Sequence, residues 1–141
     1  MPKTVRLFIK AGILYFLTGS LLAFISQIPS INTGALLLPV YWHMIVVGWI
    51  TQIIMGVSLW MFPRSANQKR RTTDKFTIQC SFWLLNTGLI LRFLSEPFIP
   101  LFPADHIVKW TVLISSILQI SAILLYVIEI WPRVRGKISK N

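Results

Sequence analysis

The chain has 141 residues, of which 55% are hydrophobic and only 13% are charged. Soluble domains usually carry about 25% charged residues, so this composition predicts an integral membrane protein. The net charge of +10 suggests nucleic acid at first, but the basic residues cluster outside the apolar runs, which indicates membrane topology and no nucleic-acid partner. The single cysteine, Cys80, excludes an intramolecular disulfide and a cysteine-built zinc site.

Four apolar runs follow one another along the chain. They cover residues 7–28, 40–62, 76–95 and 107–131. Each has about 20 or more residues, enough to cross a hydrocarbon core of roughly 30 Å as a helix. The first run has no clear small-residue cleavage site, so we expect a retained helix rather than a signal peptide. The sequence therefore predicts an all-α, integral membrane four-helix bundle that forms a single domain over residues 1–141.

The basic residues predict the orientation of the bundle. Twelve of the fourteen Lys and Arg residues precede the first run or lie at its start, lie between the second and third runs, or follow the fourth. Basic residues concentrate on the cytoplasmic side of membrane proteins. We therefore expect both termini in the cytoplasm of a multi-pass protein of the inner (plasma) membrane. The basic tail could also bind anionic lipid in the bilayer.

This orientation places several polar side chains together near the outer surface. His43 lies about one turn below that surface, and Arg92 and Glu96 approach it from the third run. His106 opens the fourth helix at the same level. Charged residues at membrane depth usually face the protein interior, and the spacing of Arg92 and Glu96 allows them to pair. Alternatively, Arg92 extends to the outer headgroups.

The second helix carries two different faces. Gly48, Gln52 and Gly56 share one face, where small residues permit close approach of a neighbouring helix. His43 lies above an apolar column on another face, an arrangement that suits a flat hydrophobic macrocycle with one nitrogen ligand. Alternatively, the imidazole forms a hydrogen bond between helices or contacts interfacial water.

Three blocks of sequence resemble a known family. Residues 41–64 read YWHMIVVGWITQIIMGVSLWMFPR, and residues 86–97 and 131–135 read NTGLILRFLSEP and WPRVR. They are similar to segments of subunit I of haem–copper oxidases and of short, four-helix proteins like it. The resemblance implies that His43 binds haem b, with Arg92 near the propionates and with Tyr41 and Trp42 beside the site.

The same resemblance limits the chemistry. Tyr41 stands where the family has the first histidine of a pair, and His43 matches the second. With only His43 and His106, one chain lacks the ligands of a binuclear centre, so complete oxygen reduction by this chain alone is not expected. The twelve-helix oxidase subunit consists of three four-helix arcs. This implies a homo-oligomer, with a trimer favoured and a dimer next.

A polar stripe on the fourth helix has two interpretations. Its members are Ser115, Gln119, Ala122, Tyr126 and Glu129. The stripe either packs helices together through hydrogen bonds or lines a proton path. In the preceding connection, Pro97, Pro100 and Pro103 predict an extended, stiff chain.

Three functions remain open from the sequence. The first is a b-type haem protein that transfers electrons or senses a gas or quinone, with a quinone or redox protein as possible partner. The second is a cofactor-free structural or accessory subunit. The third is a copper or zinc site that several subunits assemble from His43 and His106, since imidazole binds both metals.

Overall fold

The computed structural model describes residues 2–29, 34–62 and 76–134, and all regular secondary structure in these ranges is helical. The elements are α1 (Lys3–Ser26), α2 (Gly34–His43), a π-helical segment (Met44–Thr51), α3 (Gln52–Met61), α4 (Phe76–Ser95), a 3-10 turn (Glu96–Phe98) and α5 (His106–Val134). The predicted all-helical fold is confirmed. The basic segment 64–75 and the tail residues Arg135, Lys137 and Lys140 lie outside the described residues.

The second helix is continuous but not uniform. Helix α2, the π-helical segment and α3 follow one another without a break, and we call them together the second span. Pro39 lies inside α2, because the helix begins at Gly34 rather than at the predicted residue 40. The Thr51 hydroxyl donates to the Val46 carbonyl, five residues earlier, at 2.9 Å within the wider π turns. π-Helical turns are often found at functional sites, and this segment starts directly after His43.

Three helices are long and apolar enough to cross a membrane, namely Lys3–Ser26, Leu36–Met61 and His106–Val134. Only 17% of the apolar windows in the first and last of these is buried, so most of their apolar side chains face outward, as lipid contact requires. Helix α4 is not among the three. Its 20 residues include three strongly polar side chains, of which Asn86 is buried, Arg92 is partly buried and Gln79 is exposed.

The interior of the bundle lies between α4 and its three neighbours. Phe8 of α1 meets Phe82 of α4 edge to face, with ring centroids 5.1 Å apart. The rest of the core comes from every long helix: Val5, Met55, Leu59, Ile78, Leu85, Leu89, Ala122 and Ile130. Near its middle, the buried amides of Gln52 and Asn86 face each other, with Gln52 Nε2 donating to Asn86 Oδ1 at 3.1 Å.

Helix α5 packs along α4 through its polar stripe. Ser115 Oγ donates to the Gly88 carbonyl at 2.8 Å, and Gln119 Nε2 donates to Ser115 Oγ at 3.0 Å. Ser81 Oγ of α4 donates to the Ala122 carbonyl at 2.8 Å. The two bonds that the serines donate join α4 to α5, as the packing interpretation of the stripe predicts. They leave the alternative, a proton path, untested.

Both ends of the bundle are defined by contacts. At one end, the start of α1 contacts Gly56 of α3, and Arg133 Nη1 of α5 donates to the Phe62 carbonyl at 3.5 Å. We call this the basic end, because Lys3, Arg6 and Lys10 also lie towards it. At the opposite end, called the His43 end, α2 meets the 3-10 turn that follows α4.

The connection between α4 and α5 forms a 3-10 helix and turns, so the predicted extended chain was wrong. Pro97 sits in the first turn of the 3-10 helix, where its missing N–H removes no hydrogen bond.

Glycines let α1 approach the second span closely. A Cβ atom added to Gly48 would lie 2.6 Å from Cγ and 2.8 Å from Cβ of Tyr15. Gly12 and Gly19 of α1 face Ile53 and Ile45 in the same interface, with distances of 3.0–3.2 Å from an added Cβ. The close approach predicted from Gly48 and Gly56 is therefore present, and α1 contributes two glycines that the prediction did not include.

Replacement of Gly48 by alanine should destabilise the bundle. The new methyl group would meet the base of the Tyr15 side chain, which cannot move without shifting α1. We expect a loss of about 1–3 kcal/mol of unfolding free energy, measurable by denaturant unfolding in detergent. Gly34→Ala is the matched control, since its added Cβ would lie 3.5 Å from the nearest atom, the Ser26 carbonyl oxygen. Equal stability of the two variants would contradict the close contact.

Candidate functional site

The candidate site lies at the His43 end, where the second span meets the end of α4. His43 is the last residue of α2, and its side chain is 31% exposed. Its Nδ1 atom lies 2.8 Å from the Pro39 carbonyl oxygen, one helical turn earlier. A carbonyl oxygen can only accept a hydrogen bond, so Nδ1 carries the hydrogen and donates it. In the neutral imidazole, Nε2 is then the unprotonated nitrogen.

Glu96 lies on the other side of the same nitrogen. Its Oε2 atom is 3.2 Å from His43 Nδ1, and its side chain is only 6% exposed. Oε2 accepts no hydrogen bond from the described residues. His43 Nδ1 does not donate to Oε2 because its hydrogen points to the Pro39 carbonyl oxygen. The carboxylate and the imidazole are therefore close neighbours whose contact is mainly electrostatic.

Arg92 compensates the charge of Glu96. Its Nε atom donates to Glu96 Oε1 at 3.2 Å, and its Nη1 atom donates to Ser116 Oγ of α5 at 2.7 Å. The arginine side chain is 16% exposed and is directed into the bundle, towards α5. The predicted pairing of Arg92 and Glu96 is thus present. Burial alone would raise the pKa of Glu96, but His43 and Arg92 outweigh it and lower that pKa below its usual value. Glu96 is therefore an ionised carboxylate.

An apolar groove lies beside the imidazole. It has a volume of about 170 Å³ and is lined by Trp42, His43, Val46 and Val47. Trp42 is 54% exposed, so the groove opens on the outside of the bundle. Tyr41 is half-buried and its ring stacks on that of Trp42, with centroids 6.1 Å apart. Among the residues that the structure describes, His43 Nε2 has no hydrogen-bond partner, which leaves it open for a ligand.

His106 is not joined to this cluster by any contact in the described ranges. It is the first residue of α5 and is exposed. Within residues 2–29, 34–62 and 76–134, no group of three His, Cys, Asp or Glu side chains could hold a metal ion. A copper or zinc site that includes His43 and His106 would therefore need further ligands, either from other copies of the chain or from residues outside these ranges.

The sequence did not reveal three partners in the site, namely Pro39, Ser116 and the contact between Glu96 and His43. Pro39 could have been found, because it lies four residues before His43 and its carbonyl is therefore within reach of the imidazole. The contact with Glu96 depends on the 3-10 turn after α4, which the sequence did not predict.

The residues present fit one side of a haem site. A haem ligand of this kind needs one open imidazole nitrogen, a second ring nitrogen held by a hydrogen bond, and apolar walls. His43 supplies both nitrogens, and Trp42, Val46 and Val47 supply one wall. A second wall is not formed by the described residues of one chain.

No protein-family model, curated protein or solved structure matches the chain. The resemblance to haem–copper oxidase subunit I therefore stays a prediction. The described part of the chain defines the class of protein: it is all-helical, with three helices long and apolar enough to cross a membrane.

Loss of Arg92 should strongly destabilise the protein. Arg92→Met would leave the buried Glu96 carboxylate without its cation, a change that typically reduces stability by roughly 3–5 kcal/mol. Lys109→Met, which removes an exposed cation at the same end, should have little effect. The measurement is denaturant unfolding in detergent.

A double variant makes this test specific. In Arg92→Met/Glu96→Gln, no uncompensated charge remains, so most of the lost stability should return. If the double variant is as unstable as Arg92→Met alone, the buried ion pair is not the cause.

Proposed function

We propose that this protein is a b-type haem protein of the membrane, with His43 as an axial ligand through Nε2. The observation that carries the proposal is the state of the imidazole. Nδ1–H is held by Pro39 beside a buried carboxylate, while Nε2 is open next to an apolar groove on the lipid-facing side. A histidine that served only packing would be expected to use both nitrogens or to turn both to water.

Bound haem would supply a one-electron iron couple. The position of the groove beside His43 is the basis for the proposed use of that couple. The groove lies at the outer end of the bundle, within reach of a quinone in the lipid or of a redox partner at the surface. Electron transfer or sensing of a small molecule such as a gas is the activity proposed. A complete oxygen-reducing centre is not part of the proposal, since His43 is one histidine where such a centre needs several.

A second copy of the chain completes the site. The groove of about 170 Å³ is too shallow to enclose a macrocycle, and Trp42 remains 54% exposed beside it. Another copy would supply the opposite wall and a second axial ligand, for which its own His43 is available. The resemblance to the twelve-helix subunit favours a trimer, and a dimer is the simpler closed arrangement.

The role of Arg92 in this proposal is secondary. Two of its nitrogens already bind Glu96 and Ser116. Contact with a haem propionate would therefore use Nη2. This assignment, like those of Tyr41 and Trp42 as residues beside a bound haem, rests on position near His43 and on the resemblance.

Removal of His43 tests the haem proposal. Protein purified from haem-replete cells should show a Soret band and reducible α and β bands, and His43→Ala should lose at least nine-tenths of them. His106→Ala is the matched control and should keep the wild-type spectrum, because His106 is exposed and apart from the groove.

Each other outcome assigns a different function. Wild-type protein without haem but with copper or zinc bound in a His43-dependent manner would support the shared metal site. Wild-type protein without any of these, when isolated intact from membranes, would support a cofactor-free structural subunit. Haem retained in His43→Ala would refute His43 as the ligand.

We also propose that α4 crosses the membrane as a fourth span and that both termini are cytoplasmic. The distribution of the Lys and Arg residues supports this orientation. In a Cys80→Ser background, Ala104→Cys at the His43 end should react with an impermeant thiol reagent in intact cells. Lys3→Cys at the basic end should react only after permeabilisation. The opposite pattern would contradict the orientation. Both replaced side chains are exposed.

A further inference from the structure

The Glu96 carboxylate is placed in an unusual way for a buried acid. Its Oε1 atom accepts from Arg92, but its Oε2 atom is buried without a hydrogen-bond donor from the described residues and lies 3.2 Å from His43 Nδ1. A buried carboxylate oxygen that accepts no hydrogen bond is unfavourable unless a charge interaction offsets the lost bond. The His43 ring is the group close enough to interact with this oxygen's charge in that way.

Glu96 is also held firmly in place. Arg92 connects it to α5 through Ser116, whose hydroxyl lies 3.0 Å from the Val112 carbonyl oxygen and donates to it. The carboxylate is therefore fixed by α4 and α5, while the imidazole belongs to the second span. Three helices thus determine the distance between Glu96 and His43.

We infer that Glu96 is a positioning residue for His43: its carboxylate holds the imidazole in the Nδ1–H form and increases electron donation from Nε2. A negative charge beside Nδ1–H stabilises a positive proton on that nitrogen and disfavours the Nε2–H tautomer. It also polarises the ring, so that Nε2 becomes a more basic ligand. Carboxylates and carbonyls beside ligand histidines have this effect on metal sites in general.

The effect on a bound haem rests on the proposed function. A more basic imidazole stabilises the oxidised, more positive iron more than the reduced iron, and the negative carboxylate acts in the same direction. Glu96 should therefore lower the midpoint potential of the haem and increase its retention.

A purely structural role makes a different prediction. If Glu96 only closes the bundle as the partner of Arg92, its removal lowers stability but leaves the tautomer and the potential unchanged. The chain contains a matched control for this distinction. Glu129 is also 6% exposed and is also paired with an arginine: Arg133 Nη2 lies 2.7 Å from its Oε1 atom. Unlike Glu96, Glu129 lies at the basic end and precedes its arginine by four residues.

The first experiment uses the haem-free protein and compares the wild type with Glu96→Gln and Glu129→Gln. Selective ¹⁵N labelling of histidine, with His106→Asn to assign the signals, gives the protonation of each ring nitrogen of His43 by NMR. We expect a protonated Nδ1 and an unprotonated Nε2 in the wild type and in Glu129→Gln, and a larger fraction of the Nε2–H tautomer in Glu96→Gln, where only the Pro39 carbonyl still holds Nδ1–H. A wild-type imidazole with the proton on Nε2, or the same tautomer populations in Glu96→Gln and Glu129→Gln, would overturn the inference, whether or not haem is ever bound.

The second experiment compares Glu96→Gln with Glu129→Gln in the haem-loaded protein. Glu96→Gln should raise the midpoint potential and weaken haem binding on the order of 10-fold, while Glu129→Gln should change neither. Equal potentials in the two variants would overturn the inference. If Glu96→Gln does not fold, Arg92→Met/Glu96→Gln removes both buried charges and should show the same rise.

The two proposals fail in different ways. Wild-type protein that binds no haem refutes the haem proposal, while the NMR measurement still decides the role of Glu96. Wild-type protein that binds haem through His43 but shows no dependence on Glu96 refutes only the positioning role.

Discussion

The buried carboxylate of Glu96 is the contact through which three helices meet at the His43 end. It accepts a hydrogen bond from Arg92 of α4, and it lies beside His43 of the second span. Arg92 in turn donates a hydrogen bond to Ser116 of α5. An ionised group away from water is tolerated only when an opposite charge and hydrogen bonds surround it. The positions of α4, α5 and the second span at this end are therefore mutually dependent.

The same requirement explains the remaining polar groups of the interior. The amides of Gln52 and Asn86 pair with each other, Ser81 and Ser115 donate to carbonyls of the neighbouring helix, and Gln119 donates to the Ser115 hydroxyl of its own helix. In a lipid-surrounded bundle such bonds contribute about 0.6–2 kcal/mol each to helix association. Against this background, two atoms of the site lack a hydrogen-bond partner among the described residues, namely Glu96 Oε2 and His43 Nε2. The second of them adjoins the apolar groove and belongs to an imidazole with a fixed tautomer.

The sequence predicted the coarse fold well, because apolar runs determine helices in a membrane directly. The predicted range 76–95 coincides with α4 (Phe76–Ser95), and the Ser115, Gln119 and Ala122 part of the polar stripe faces α4. It predicted less about local geometry. The helix that holds His43 begins at Gly34, passes through Pro39 and changes to π-helical turns at Met44. Neither change has a hydropathy signal. The direction of the His43 side chain therefore could not be derived by assuming a regular α-helix with 100° per residue.

The site itself was predicted in part. His43, Arg92 and Glu96 were placed in one layer by topology alone, and the Arg92–Glu96 pair followed from their spacing. Contact between His43 and Glu96 joins residues 53 positions apart. It depends on how the 3-10 turn orients Glu96, and tertiary packing rather than local sequence decides that. His106 shared the layer but not the cluster, because the first turn of α5 is exposed.

Titration of the haem-free protein with haem in detergent tests the central claim most directly. The account predicts saturable binding with the spectrum of a six-coordinate, low-spin haem that is carried by an oligomer of the chain. Binding without saturation, or a six-coordinate haem bound by a monomeric chain, would contradict it.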